Sequence, residues 1–94
     1  MNGERMTARI TGRVQGVGFR WWVRRHAEGL RLTGWVMNAH DERSVELVAE
    51  GPSDALDELE RRLWRGPDGA RVDQVEARRS PASGEFERFG IVRA

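Results

Sequence analysis

Residues 6 to 30 hold the arrangement that most restricts how this chain folds. Met6, Ala8, Ile10, Gly12 and Val14 alternate with Thr7, Arg9, Thr11 and Arg13, the period of a strand with one buried face. No linker follows. The chain enters the stretch VQGVGFR directly, and Phe19, Val23, Ala27 and Leu30 then recur at helical spacing, with Trp22 and His26 beside the stripe. A helix therefore starts at about Phe19 or Arg20, one short glycine loop after a strand.

The remainder extends this pattern. LTGWVMN (32–38) reads as a second strand and VELVAE (45–50) as a third, joined as a hairpin through the polar turn 39–44. The segment 51–67 is the clearest helix. Pro52 and acidic Asp54, Asp57 and Glu58 lie early, Arg61, Arg62 and Arg65 lie late, and Gly66-Pro67 stops it. Leu56, Leu59 and Leu63 give it a core stripe. Residues 70–79 read as a fourth strand whose register slips between Val72 and Val75, as at a bulge. FERFGIVRA (86–94) supplies a short last strand. The order β-α-β-β-α-β is that of two split βαβ units, an α+β ferredoxin-like sandwich. Its expected form is an antiparallel sheet with two helices on one face and a short extra C-terminal strand. Ninety-four residues fit one domain, 1–94.

Composition removes whole classes of chemistry. There is no cysteine, hence no thiol nucleophile or thiolate metal site. All 16 basic residues are arginine, which excludes Schiff-base chemistry and a lysine-dependent phosphate loop. Against 15 acidic residues the net charge is +1, too balanced to point to nucleic acid. No apolar leader core opens the chain and no run reaches membrane-spanning length. A soluble cytoplasmic monomer, without membrane or nucleic-acid partners, is the expectation.

The glycine loop carries the chemistry. Gly16 and Gly18 permit backbone angles closed to other residues, so that successive N–H groups can converge on an anion. The helix start adds its unpaired amides and the positive end of its dipole. Arg20 emerges there with a planar fork suited to two phosphate oxygens. The same glycines also suit a plain tight turn, and Arg20 a surface ion pair. Asn38 ends the strand after the first helix. In a split βαβ unit the strands flanking the helix run parallel, so Asn38 shares a sheet edge with the loop. It suits a turn equally well as it suits holding a water.

GRVQGVGFR and GLRLTGWVMN together resemble the acylphosphatase family, whose motifs are G-x-V-Q-G-V-x-F-R and G-x-V-x-N. Gly12, Val14, Gln15, Gly16, Val17, Phe19 and Arg20 match the first, and Gly34, Val36 and Asn38 match the second. AEG before the second helix and GPDGARVDQV after it also look like the family. The resemblance implies hydrolysis of the carboxyl–phosphate bond of a small-molecule acyl phosphate. It implies that Arg20 and the backbone amides of Gln15, Gly16, Val17, Gly18 and Phe19 hold the phosphoryl group, and that Asn38 positions the water. It implies no metal and no organic cofactor.

Two places depart from the family pattern. Arg31 stands where a glycine usually follows the first helix, with neighbouring Gly29 able to absorb the difference, and Asp41-Glu42-Arg43 replaces an Asp-Gly turn. Trp21 borders the site or shapes its acyl side. His40 reads as a solvated turn residue, His26 as packed on the first helix, and Arg78-Arg79 as a solvated pair. The alternatives are a non-catalytic anion-binding module on the same fold, or an RNA-binding sheet using Trp35 and a phenylalanine.

Overall fold

The computed structural model describes residues 3–93. The alternation at the start of the chain becomes β1 (Glu4–Arg13), and the helical stripe becomes α1 (Phe19–Gly29). Next come β2 (Thr33–Asn38), β3 (Ser44–Gly51), α2 (Ser53–Leu63), β4 (Arg71–Pro81) and β5 (Phe89–Ile91). The sheet order is β4-β1-β3-β2-β5. β1 pairs antiparallel with β3 and β4, and β3 pairs antiparallel with β2. This is the expected ferredoxin-like arrangement, with β1 and β2 parallel to one another and β3 between them.

The extra strand makes the sheet mixed. β5 pairs parallel with β2, through Gly34–Phe89 to Val36–Ile91. The reason is geometric. β4 runs opposite to β2, so a chain that reverses once after β4 must reach the far edge running along β2. The slip in β4 is also present, as a register shift between Thr11 and Gly12 that leaves Asp73 without a partner between Val72 and Gln74.

The core lies between the sheet and the two helices. Met6, Ala8 and Ile10 stand opposite Ala49, Leu47 and Val45, and all are buried. Phe19, Val23 and Ala27 of α1 and Leu56, Leu59 and Leu63 of α2 complete the same cluster. β2 approaches β3 so closely at Gly34 that a Cβ there would meet the Val48 carbonyl, which explains the glycine that opens the second motif. The opposite face carries charge. Arg9 pairs with Glu46 and Asp41. Arg78 is exposed, but Arg79 is not its solvated partner. It lies half-buried on the helix side and holds Glu4, Asp57 and Glu60, joining β1, β4 and α2. The register decides this, because Arg79 faces the buried Met6. No helix is long and apolar enough to cross a membrane among the described residues.

His26 packs where the stripe puts it, 4.2 Å from Trp22 between ring centroids, and its Nδ1 accepts a bond from Arg62 of α2 at 2.9 Å. Burial, then the Arg62 charge, lowers its pKa below the usual value.

Arg31, not Gly29, absorbs the missing glycine after α1. Its φ is 61°, the left-handed region. Arg31 N–H bonds to Glu28 O at 3.0 Å and Leu32 N–H to Ala27 O at 2.9 Å, the paired bonds of a Schellman cap. The cap is thus formed by a residue that bears its Cβ cost. Arg31→Gly is expected to raise stability by about 1 kcal/mol, or about 4–8 °C in Tm for a domain of this size. Thermal denaturation followed by circular dichroism checks it, and an unchanged or lower Tm would contradict it.

At the end of the sheet where β3 finishes, Glu50 pins the segment between β4 and β5. Its buried carboxylate accepts from Ser83 N at 2.9 Å, Ser83 Oγ at 3.0 Å, Gly84 N at 3.0 Å and Arg5 Nε at 2.7 Å. Burial alone would raise its pKa. The amides and the Arg5 guanidinium overcome this and hold it at about 2, against the ordinary 4.5. A carboxylate depressed on folding stabilises the native state above its unfolded pKa, and that share disappears as pH falls from about 4.5 through about 2. Glu50→Gln is therefore expected to lower Tm at pH 7 and to converge on the parent as pH approaches 2. A Tm difference independent of pH would contradict this.

Candidate active site

The loop between β1 and α1 takes its shape from its glycines. Gly16 and Gly18 have φ of 75° and 77°, and Gly18 is the left-handed residue that opens α1. Among the described residues, the backbone N–H groups from Gln15 to Trp21 donate to no carbonyl and to no side chain, and the first bond of the helix is Trp22 N–H to Gly18 O at 3.0 Å. An unbroken run of amides is thus left free at the positive end of a helix. Gly16 and Gly18 are exposed, Gln15, Val17 and Arg20 half-buried, and Phe19 is buried in the core, which anchors the loop from beneath.

The β2–β3 turn meets this loop. Asn38 is the last residue of β2, half-buried, and sits opposite Val45. Gln15 reaches across to the turn. Its Nε2 donates to Ala39 O at 3.0 Å and to Ser44 O at 2.9 Å. These carbonyls belong to the residue after Asn38 and to the first residue of β3. The loop and Asn38 therefore lie at one edge of the sheet. Among the described residues neither the Arg20 guanidinium nor the Asn38 carboxamide has a side-chain hydrogen-bond or ion-pair partner within the protein. Both remain free for a ligand.

The altered turn is well braced. Asp41 Oδ1 accepts from Arg43 N at 2.9 Å and Ser44 N at 3.0 Å, and its Oδ2 accepts from the Ser44 hydroxyl at 2.8 Å and from Arg9 at 2.7 Å. The Arg43 amide, then the Ser44 hydroxyl, hold its carboxyl below the usual range. Glu42 takes φ 63°, the left-handed conformation that an Asp-Gly turn would give to glycine. Ser44 is buried, so the turn is fixed from below as well. The longer loop thus leaves Asn38 at the strand end.

The lesser candidates separate. His40 is exposed. Trp21 is 63% exposed on the outer side of α1, with the Arg24 guanidinium 4.9 Å from its ring centre. It borders a shallow cleft of about 300 Å³ that also touches Gly18 and Pro67. A cleft of about 590 Å³ lies on the helix-free sheet face, between Arg9, Trp35, Glu46, Glu76 and Arg78, away from the glycine loop. Of the phenylalanines, Phe19 and Phe89 are buried and Phe86 lies under Arg5. The stacking platform required of an RNA-binding sheet is missing from the described residues.

What sequence reasoning missed is the Gln15 side chain. The loop needed only its backbone for a nest, so the carboxamide had no evident task. Its target follows from the β1–β3 register, which sets Thr11 against Ser44.

A ferredoxin-like sheet with a free amide run at a helix start, an uncommitted arginine in the first turn and an asparagine ending the strand at the same end of the sheet defines an α+β protein without thiol or lysine chemistry. Residues 6–91 match the acylphosphatase family. An acylphosphatase of Salinibacter ruber is 52% identical over 90 residues, spanning 96% of this chain and 94% of that one. The crystal structure of acylphosphatase from Bacillus subtilis superposes with a TM-score of 0.91 at 36% identity, covering 95% of this chain and 98% of that one. An acylphosphatase from Coxiella burnetii gives 0.90 at 38% identity, over 97% and 94% of the two chains. The chain belongs to the acylphosphatase family, hydrolases of small-molecule acyl phosphates.

Proposed function

We propose that the amides of Gln15, Gly16, Val17, Gly18 and Phe19, with the guanidinium of Arg20, bind the phosphoryl group, and that Asn38 orients the attacking water. The observation that carries this reading is the run of free amides in a loop tied through the Gln15 side chain to the Asn38 turn, with Arg20 and Asn38 both uncommitted. Water attacks phosphorus opposite the carboxylate. A P–O bond to water forms, the P–O bond to the acyl oxygen breaks, and the carboxylate leaves with the bonding pair. The water proton passes to a phosphoryl oxygen, giving a carboxylate and dihydrogen phosphate. Charge spread over the phosphoryl oxygens meets fixed dipoles, so positioning and electrostatics supply the catalysis. Carboxylate leaves readily and needs no strong general acid.

The reading extends to a single-domain, monomeric, cytoplasmic enzyme that acts without nucleic acid, metal or organic cofactor. The balanced charge and the lack of an aromatic platform among the described residues support the part concerning nucleic acid. Steady-state hydrolysis of benzoyl phosphate, with inorganic phosphate as competitive inhibitor, tests the site. Phosphate binding without hydrolysis would instead identify a non-catalytic anion-binding module.

A further inference from the structure

We propose that the Gln15 side chain is a positioning residue that sets the gap between the phosphate loop and Asn38. The inference rests on the roles given above to the loop and to Asn38, and deepens them. Gln15 contributes its amide to the loop, yet its side chain is spent on the opposite wall. One NH₂ group donates to two carbonyls, Ala39 O and Ser44 O, at 3.0 and 2.9 Å. Ser44 O also receives the Ala39 amide at 2.9 Å, so a single carbonyl collects both the turn's own closure and the link to the loop. Ala39 is the residue next to Asn38. A shift of Gln15 therefore displaces the peptide that carries Asn38 relative to the loop.

Among the described residues no other hydrogen bond links these two walls at that level. Gly12 N–H reaches Arg43 O at 3.1 Å, lower on the strand. The Asp41 bonds stiffen the turn but reach back to Arg9 of β1, not to the loop. Without the Gln15 bridge, the loop is left anchored by buried Phe19 and Val14 and the turn by buried Ser44, each intact on its own side. Loss of the bridge thus leaves two well-formed walls at an unregulated spacing. In-line attack is sensitive to such spacing, since an error of about 1 Å costs about 10²-fold in rate. Phosphate affinity, which depends on the loop and Arg20 alone, is insulated from it.

Gln15→Met removes the donors at similar length. The expected result is a 10–100-fold loss in kcat, roughly that of a misplaced nucleophile, with the inhibition constant for inorganic phosphate changed by less than about threefold. Assays run well below the variant's Tm separate this from instability. A lower Tm with unchanged kcat makes the bridge merely structural and overturns the proposal. Equal losses in kcat and phosphate affinity make Gln15 part of the phosphate cradle and overturn it too. Should Gln15→Met not fold, Gln15→Asn keeps a carboxamide on a shorter arm. It is expected to lose kcat to a smaller extent, with phosphate inhibition intact, and full turnover would overturn the proposal. The double variant with Asn38→Ala distinguishes the layers. With no Asn38 to align, Gln15→Met is expected to add little further loss. If Asn38→Ala alone retains full turnover, the role given to Asn38 has failed. If Asn38→Ala is impaired while Gln15→Met is normal, only the positioning role has failed.

Discussion

Replacing Arg20 with alanine is expected to remove turnover and phosphate binding together. In the proposed site Arg20 is the full positive charge in the first turn of α1 beside the free amides, and among the described residues its guanidinium has no hydrogen-bond or ion-pair partner. Its planar fork meets two phosphoryl oxygens at once, and those oxygens gain charge as the carboxylate departs. An arginine at a developing phosphoryl charge is worth about 10³–10⁵ in rate. kcat/KM for benzoyl phosphate should fall on that scale, with inhibition by inorganic phosphate lost in parallel. Arg20→Lys should recover little, because an ammonium supplies a point charge without the fork. Phosphate inhibition that survives in Arg20→Ala would move the binding role to the amides alone.

Asn38→Ala is expected to separate the two functions that Arg20→Ala removes together. Asn38 ends β2 beside the turn that Gln15 reaches and, in the proposed site, its carboxamide touches the water rather than the phosphate. Its loss should lower kcat by about 10²–10³ and leave the inhibition constant for phosphate close to the parent value, the pattern of an interaction made only in the transition state. Because Asn38 closes β2 and its side chain has no partner among the described residues, the fold should tolerate the change. Equal Tm values would confirm that. Near-normal turnover would remove Asn38 from the chemistry.

Legibility in the sequence followed the range of the interactions. Strands and helices were plain where burial imposed a period, as in Met6-Ala8-Ile10 and Phe19-Val23-Ala27, and both buried stripes stand where the spacing put them. The slip near Val72 was visible because a bulge interrupts that period locally. Arg31 could be marked as strained because a left-handed cap needs a glycine there, and φ 61° is the outcome. The left-handed glycines of the loop and the place of Asn38 at a strand end were readable from residue types and spacing, while the roles proposed for them came from the resemblance to the family. The direction of β5, the fate of Arg79 and the reach of Gln15 were not. Each depends on which strand lies beside which and in what register, and no local pattern encodes that. Arg79 looks like any surface arginine until β4 is aligned with β1 and its neighbour proves to be Met6.

The amide run between Gln15 and Trp21 bears on how such a site withstands mutational drift. A cradle made of peptide groups has no side chain to lose, since every residue at a cradle position brings the same N–H unless it is proline. In the proposed site, what inheritance must preserve is the Arg20 fork, two left-handed torsions at Gly16 and Gly18, and the buried ring of Phe19 that seats them. Apart from Arg20, the outer surface of α1 is then free to diverge without disturbing the proposed hold on phosphate, whereas Val17 stays tied to the core it packs against. Diversity among descendants of such a chain should collect around the acyl end of the substrate, leaving the phosphoryl end nearly uniform.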